Sequence, residues 1–275
     1  MPELRIAFLG DVVGSVGRRA VAQAAATLRE THGVSVIIVN GENSRQGAGI
    51  TPDNYRELRR SGVHAVTLGD HVYKDRAIIP VLEDPAEPIS RPANLAREAP
   101  GKRVIRIGVS QETPPLYVVT VLGRLFMPIP SDNPFTAVDR EISEVVEKDA
   151  MVIVEVHGET TSEKQAMAWH CASRWTGNGA ARVVAVVGTH THVQTADARI
   201  LEQCVGAITD LGMSGPHRGV IGRNAESTVR AMAQQYPVPL DVASDDARAC
   251  GVMVRLDTLT RRAVGIEALN VPCRG

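Results

Sequence analysis

The first quarter of the sequence alternates short apolar runs with stretches of helical periodicity. Residues 5–10, 36–39 and 65–68 are apolar runs that predict strands, and the segments 17–31 and 51–61 between them have helical apolar spacing. Thr51 and Pro52 are typical of an N-cap and of the first helical position. Because continuous apolar strands joined by helices are typical of parallel sheets, the pattern predicts a βαβαβ unit covered by helices.

The rest of the chain departs from this alternation. Residues 104–107 and 116–121 flank a short polar loop and predict a hairpin, and residues 251–256 and 263–266 predict a second antiparallel pair. Helices are expected at about 136–148 and 162–175, each leading to a strand, at 151–156 and 183–187. Parallel units followed by hairpins predict an α/β protein with two mixed sheets packed face to face and helices outside. No linker or repeat interrupts the chain, so residues 1–275 are expected to form a single domain. The proline-rich stretch from Pro80 to Pro100 is expected to cross its surface.

Charge and composition narrow the class of protein. A net charge of -1 over 275 residues predicts no basic surface for nucleic-acid polymers or anionic membranes. The chain has no basic-then-apolar leader and no apolar run long enough to span a bilayer. The four cysteines lack CxxC spacing and are typical of reduced thiols rather than of a zinc knuckle or disulfides. We therefore expect a soluble cytoplasmic protein with no membrane partner.

Polar side chains follow five of the predicted strands at the point where each strand ends. They are Asp11, Glu42, Asn43, Asp70, His71, His157, His190 and His192. Each alone is more often a turn former, a helix cap or a structural histidine, but independent caps have no reason to recur at consecutive strand ends. Ligands of α/β sheets gather beyond the carboxyl ends of strands, so these side chains are expected to converge. Mixed carboxylate and imidazole donors suit manganese, iron or zinc, and the sequence therefore predicts a two-metal hydrolase.

Other candidate residues have weaker signals. Arg45 follows the second of these strand ends, and it is either a lining residue of the substrate mouth or an ordinary exposed charge. His32, His64 and His170 lie away from the predicted strand ends and are expected to be structural. The role of His217, on a loop, stays open at this point.

Eight blocks of the sequence resemble, in order, the motifs of the YmdB-like bacterial metallophosphoesterases of the calcineurin-like phosphoesterase superfamily. They are GDVVG (10–14), NGEN (40–43), LGDH (68–71), RPAN (91–94), GRLFM (123–127), VHGETTSEK (156–164), GTHTHVQT (188–195) and TDLGMSGP (209–216). The resemblance implies a four-layer αββα sandwich of two mixed β-sheets flanked by helices. It also implies two transition-metal ions, iron or manganese with zinc as a further choice. The activity that it implies is hydrolysis of phosphodiesters such as 2′,3′-cyclic nucleotides through a metal-bridging hydroxide.

The resemblance also implies roles for individual residues. One metal would be held by Asp11, Glu42, Asn43 and His192. Glu42 would bridge to a second metal held by Asp70, His157 and His190, and His71 would be the catalytic histidine that protonates the leaving oxygen. The alternative role for His71 is to orient Asp70. The family pattern has asparagine where this chain has Asp70, and the added negative charge either weakens attraction for a phosphate anion or favours a trivalent iron.

Two other functions remain open from the sequence. One is a phosphomonoesterase or protein phosphatase that uses the same metals, although the absence of clustered arginines near the motifs favours a diester. The other is a metal-dependent regulator that binds a nucleotide or an RNA end and hydrolyses it slowly or not at all. The expected partner is a small phosphodiester, and an RNA end and a second copy of the chain are open alternatives.

Overall fold

The computed structural model describes residues 3–177 and 180–273. Within them the strands are β1 (Glu3–Leu9), β2 (Asp11–Val12), β3 (Val36–Asn40), β4 (Ala65–Thr67), β5 (Ile89–Ser90), β6 (Val104–Ile107), β7 (Leu116–Leu122), β8 (Met151–His157), β9 (Arg182–Thr189), β10 (Arg199–Leu201), β11 (Val205–Ile208), β12 (Met213–Pro216), β13 (Ala247–Asp257) and β14 (Arg262–Pro272). The helices are α1 (Gly14–His32), α2 (Pro52–Arg60), α3 (Ile79–Glu83), α4 (Pro134–Glu144), α5 (Thr161–Arg174) and α6 (Ala225–Gln234), with a 3-10 turn at Arg76–Ile78.

The strands form two mixed sheets. The first has the order β2-β12-β13-β1-β3-β4-β5, with β14 on the other edge of β13, and β1, β3, β4 and β5 run parallel. The second has the order β10-β11-β9-β8-β7-β6, with four parallel strands between antiparallel edges. The predicted βαβαβ unit and both predicted antiparallel pairs, β6 with β7 and β13 with β14, are confirmed.

Side-chain alternation divides the apolar residues into three layers. In β1, Ile6 and Phe8 belong to the layer between the two sheets, whereas Ala7 and Leu9 pack on the side of α1 and α2. In β8, Ile153 likewise faces the first sheet, and its neighbours pack on the side of α4 and α5. Since successive strand residues point to opposite faces, both sheets are covered on both sides. The four-layer αββα sandwich is therefore confirmed.

Local signals explain where the helices near the site begin and end. The Thr51 hydroxyl accepts the N–H of Asn54, the Asn54 side chain accepts the N–H of Thr51, and Pro52 is the first residue of α2. Helix α1 ends at His32, and the next residue, Gly33, has φ of 60°, which glycine adopts more readily than a residue with a Cβ. No helix in the described part of the chain is long and apolar enough to cross a membrane.

The expectation for the proline-rich stretch from Pro80 to Pro100 is wrong. This stretch contains most of α3 and all of β5, and Arg91 and Asn94 within it are buried. The Asn94 side chain accepts the N–H of Leu122 and donates to its carbonyl, at 2.8 Å each, so it ties this segment to the end of β7. The strand and the buried residues of this segment could not be recognised from its proline-rich composition, because they depend on partners that lie far away in the sequence.

Candidate metal centre

The predicted site residues lie at strand ends of both sheets. Asp11 is in β2, directly after β1, and Glu42 and Asp70 follow the neighbouring strands β3 and β4 of the first sheet. His157 is the last residue of β8, and His190 follows β9, its neighbour in the second sheet. Because the two sheets pack face to face with these ends on the same side, the structure brings the five side chains together.

Four of them form a tight group. Among the described residues, one potential ligand atom from each of Glu42, Asp70, His157 and His190 lies within 4.8 Å of the other three. His157 Nε2 lies 3.0 Å from Asp70 Oδ1 and 3.2 Å from Glu42 Oε1. His190 Nδ1 lies 3.3 Å from the same Asp70 oxygen. Two carboxylates and two imidazoles at these distances are a donor set that suits a first-row transition metal.

A second set lies beside this group. His192 Nε2 is 3.1 Å from the Asn43 amide nitrogen and 3.9 Å from Asp11 Oδ1. In the described part of the chain, Asp11 Oδ1 has no hydrogen-bond partner although it is buried. A buried carboxylate oxygen without a partner is costly, and coordination of a cation would compensate it. The residues present therefore fit a second metal ion here.

Residues that were not predicted from the sequence orient the imidazole of His157 through its Nδ1. Its Nδ1 lies 2.9 Å from the Thr189 hydroxyl, which donates to Glu155 Oε1 at 2.8 Å. Glu155 also accepts hydrogen bonds from the side chains of Asn40 and Thr120, at 2.8 Å each. This network leaves Nε2 of His157 for the metal side. The available signal was a single acidic residue inside an otherwise apolar strand.

The other two histidines are oriented in the same way. His190 Nε2 lies 3.2 Å from Glu159 Oε2, so its Nδ1 points to the group around Asp70. His192 Nδ1 lies 3.0 Å from the carbonyl oxygen of Ile221, so its Nε2 points to Asn43. Metal-binding histidines almost always hold their second nitrogen in such a contact.

The buried charges perturb one another strongly. Burial alone would lower the pKa of His157, but the neighbouring carboxylates of Glu42 and Asp70 outweigh it and raise the pKa well above its ordinary value. Burial raises the pKa of Asp11, against the attraction of His192 and His157. A proton on His157 thus offsets part of the negative charge of the cluster. Because metal ligands must be deprotonated, binding cations would displace those protons.

His71 lies between the two sets. Its Nδ1 is 2.8 Å from Asn43 Oδ1 and its Nε2 is 3.6 Å from Asp70 Oδ2. Its backbone N–H donates to Glu42 Oε2 at 3.1 Å. The side chain also lines a cavity of about 290 Å³ together with Glu159, His190 and His192. This position is compatible with both predicted roles, proton transfer and orientation of the ligands.

Arg45 lies outside that cavity. Its guanidinium pairs with Asp75 at 2.9 Å and lines a larger neighbouring cavity of about 610 Å³, together with Arg18, Gln46 and Asn54. The loop 45–47 separates the two cavities, since Gly47 lines the smaller one.

The remaining histidines make contacts away from the cluster. His64 Nδ1 accepts the N–H of Ile37 at 3.0 Å, and His170 pairs with Asp139 at 3.0 Å. His217 Nδ1 lies 3.1 Å from the Gly215 carbonyl and its Nε2 lies 3.4 Å from Cys250 Sγ. Burial lowers the pKa of His217, so this histidine is a neutral packing residue. The carbonyl oxygen of His32 accepts from the Arg5 side chain at 2.8 Å.

Comparison with known proteins is consistent across sequence and structure. A family model described as YmdB-like protein matches residues 7–269. A Bacillus subtilis (strain 168) protein named 2′,3′-cyclic-nucleotide 2′-phosphodiesterase is 37% identical over 268 residues, which cover 98% of this chain and 97% of that protein.

Two solved structures are similar over nearly their whole length. The crystal structure of a hypothetical protein from Thermus thermophilus has a TM-score of 0.87 and 36% identity, and the match covers 98% of this chain and 99% of that chain. A Mycoplasma pneumoniae protein described as a novel phosphatase has a TM-score of 0.88 and 29% identity, with 99% and 94% covered.

Proposed function

Because the chain belongs to the family of YmdB-like proteins, we propose that it is a two-metal phosphodiesterase that hydrolyses 2′,3′-cyclic nucleotides. One observation carries the proposal: carboxylate, amide and imidazole donors from the strand ends of two sheets surround one small cavity. The named activity of the Bacillus subtilis relative supports the substrate class.

The proposed ligands divide into two sets that share Glu42. Asp11, Asn43 and His192 would form one set with it, and Asp70, His157 and His190 would form the other. Two cations bound there would acidify a water molecule and neutralise charge on the phosphoryl oxygens. Iron or manganese is the proposed metal because the donors are oxygen and imidazole nitrogen without thiolate.

His71 is the proposed proton donor to the leaving ribose oxygen. Its Nδ1–H donates to the side-chain oxygen of Asn43, which fixes the ring and directs Nε2 to the Asp70 side of the cavity. The nearest oxygen of the Asp70 carboxylate lies 3.6 Å from Nε2. An imidazole can give up that proton near neutral pH.

The nucleoside of the substrate is proposed to lie in the larger cavity beside the metal pocket. A cavity of about 610 Å³ has the size typical of small-molecule sites, and its walls offer hydrogen-bonding groups from Arg45, Gln46 and Asn54. The loop 45–47 lines both cavities, with Gln46 in the larger one and Gly47 in the smaller one, and one ligand is proposed to span them. Arg45 is half exposed and can leave Asp75 to contact a ligand.

The cellular setting is also a proposal. All four cysteines, Cys171, Cys204, Cys250 and Cys273, are free thiols. Free thiols fit the reducing conditions of the cytoplasm.

An RNA that ends in a cyclic phosphate presents the same reacting group as the mononucleotide, and it is an alternative substrate at this site.

The test is a turnover assay on chelator-stripped protein reloaded with manganese or ferrous iron. We expect 2′,3′-cyclic AMP to be opened to a monoester, and 4-nitrophenyl phosphate, a monoester, to be hydrolysed more slowly. Arg45→Ala should raise KM for 2′,3′-cyclic AMP but not for bis(4-nitrophenyl) phosphate, which has no nucleoside. Arg56→Ala is the matched control, because Arg56 pairs with Asp53 on the exposed face of α2. A metal-loaded protein that hydrolyses only monoesters would refute the proposal and favour a phosphatase.

A further inference from the structure

The loop that carries His190 and His192 is held by a carboxylate outside the metal centre. Asp210 lies between β11 and β12, where the chain crosses from the second sheet to the first. Its Oδ2 accepts the backbone N–H of Thr191 at 3.2 Å and the Thr191 hydroxyl at 2.8 Å. Thr191 separates the two histidines, so Asp210 binds the residue that fixes their relative direction.

A buried lysine fixes Asp210 in turn. Lys164, on α5, places Nζ 2.8 Å from Asp210 Oδ2, and the two side chains are only 3% and 2% exposed. The other carboxylate oxygen accepts the N–H of Gly212 at 2.8 Å. Both oxygens are therefore engaged, and rotation of the carboxylate would leave a buried ammonium without a counter-charge.

The loop needs such support because its backbone is unfavourable. His190 has φ of 100° and His192 has φ of 66°, a region that residues with a side chain rarely adopt. Strained backbone of this kind persists only where the surroundings fix it, and it clusters at functional sites. Here it turns His190 Nδ1 to Asp70 and His192 Nε2 to Asn43, which belong to opposite metal sets.

We propose that Asp210, paired with Lys164, is a positioning residue that holds the His190–His192 loop in the conformation that serves both metals. The inference rests on the proposed two-metal function. Asp210 acts through Thr191 and is not itself a proposed ligand. If the hydrogen bonds to Asp210 are lost, the two imidazoles lose their fixed directions, and metal affinity falls although every ligand is still present.

The test replaces Thr191, because this residue carries no charge and leaves the buried ion pair intact. Thr191→Val removes the hydroxyl but keeps the side-chain shape, and Thr191→Ser keeps the hydroxyl. The control is Thr176→Val, which removes a hydroxyl that donates to the Ala172 carbonyl at 3.2 Å, away from the metal centre. Manganese titration of chelator-stripped protein, followed by electron paramagnetic resonance, measures affinity and the coupling between two ions.

We expect Thr191→Val to weaken manganese binding by roughly 10- to 100-fold, as is typical when the support of a metal ligand is removed. The coupled two-ion signal should be lost at manganese concentrations that saturate the wild type. Thr191→Ser should restore affinity, and the melting temperature of the metal-free protein should change no more than in Thr176→Val. Asp210→Asn should also weaken manganese binding. Because this change leaves the buried Lys164 ammonium without a counter-charge, its result is interpreted together with that of Thr191→Val.

Unchanged affinity and coupling in Thr191→Val would overturn the inference. Equal losses of melting temperature in the metal-free and the metal-loaded protein, with affinity unchanged, would also overturn it and show a merely structural role. A wild-type protein that binds fewer than two ions would instead refute the proposed function, so the two failures are distinguishable.

Discussion

Asp70→Asn tests how the charge of the ligand set controls substrate binding. Burial alone would raise the pKa of Asp70, but hydrogen bonds from His157 and His190 outweigh it and hold the pKa well below its ordinary value. The side chain is therefore a carboxylate at neutral pH. Asparagine keeps its size and one oxygen donor and removes one negative charge from the cluster.

The distances give the size of the effect. The ligand atoms of this group lie within 4.8 Å of one another, which sets the scale on which a phosphoryl oxygen at the same metal would approach Asp70. Two unit charges about 5 Å apart at an effective dielectric constant of about 20 repel each other by about 3 kcal/mol. Each 1.4 kcal/mol is a factor of about ten, so we expect KM for 2′,3′-cyclic AMP to fall by roughly 100-fold.

The assay measures kcat, KM and metal stoichiometry on the same preparation. Asp53→Asn is the control, because Asp53 is exposed on α2 and its replacement changes the net charge equally. If Asp70 instead serves to bind a trivalent iron, activity and metal content should fall together. Loss of activity with both metals fully bound would refute the electrostatic reasoning and the iron alternative alike.

Three further perturbations have defined outcomes. His71→Ala should keep both metals and lose roughly 10²–10⁴-fold in turnover of 2′,3′-cyclic AMP, but much less on bis(4-nitrophenyl) phosphate; equal losses would favour an orienting role. Gly188→Ala should lower the free energy of unfolding by at least about 2 kcal/mol, because its Cβ would lie 1.8 Å from the Thr209 carbonyl oxygen. Gly108→Ala, whose added Cβ meets no atom of residues 3–177 or 180–273 within 4 Å, should be nearly neutral in the same urea titration. Burial lowers the pKa of His64, so as the pH falls the unfolded chain binds a proton before the folded protein does. The free energy of unfolding should therefore decrease below about pH 6.5, by at most about 1.4 kcal/mol per pH unit. His64→Asn should reduce this pH dependence, measured from urea midpoints of the metal-free protein between pH 7.5 and 5.5, and an unchanged pH dependence would contradict the prediction.

Much of the fold could be predicted because its long strands are apolar and its helices periodic. The strands at 36–40 and 151–157 and the N-terminus of α2 at Thr51 follow from local sequence. The short strands could not be predicted from local sequence. β2 has two residues and pairs with β12, about 200 residues later, so its existence depends on tertiary packing. β5, inside the proline-rich stretch, was hidden for the same reason.

The candidate site could be predicted in part. Strand ends identified all seven proposed ligands as candidates, because polar residues beyond apolar strands are visible in one sequence. The sequence did not reveal that His157 and His190 come from a different sheet than Asp11 and Glu42. It also missed Glu155 and the other supporting contacts, because these depend on distances between strands and not on spacing along the chain.

The central claim is that two metals share Glu42, and anomalous diffraction from crystals of metal-loaded protein tests it most directly. Data collected at the iron and manganese edges locate each ion and identify it. We predict two peaks less than about 4 Å apart, with carboxylate oxygens of Glu42 contacting both ions and with His190 and His192 on opposite ions. A single fully occupied peak, or a Glu42 side chain that contacts neither ion, would contradict the account.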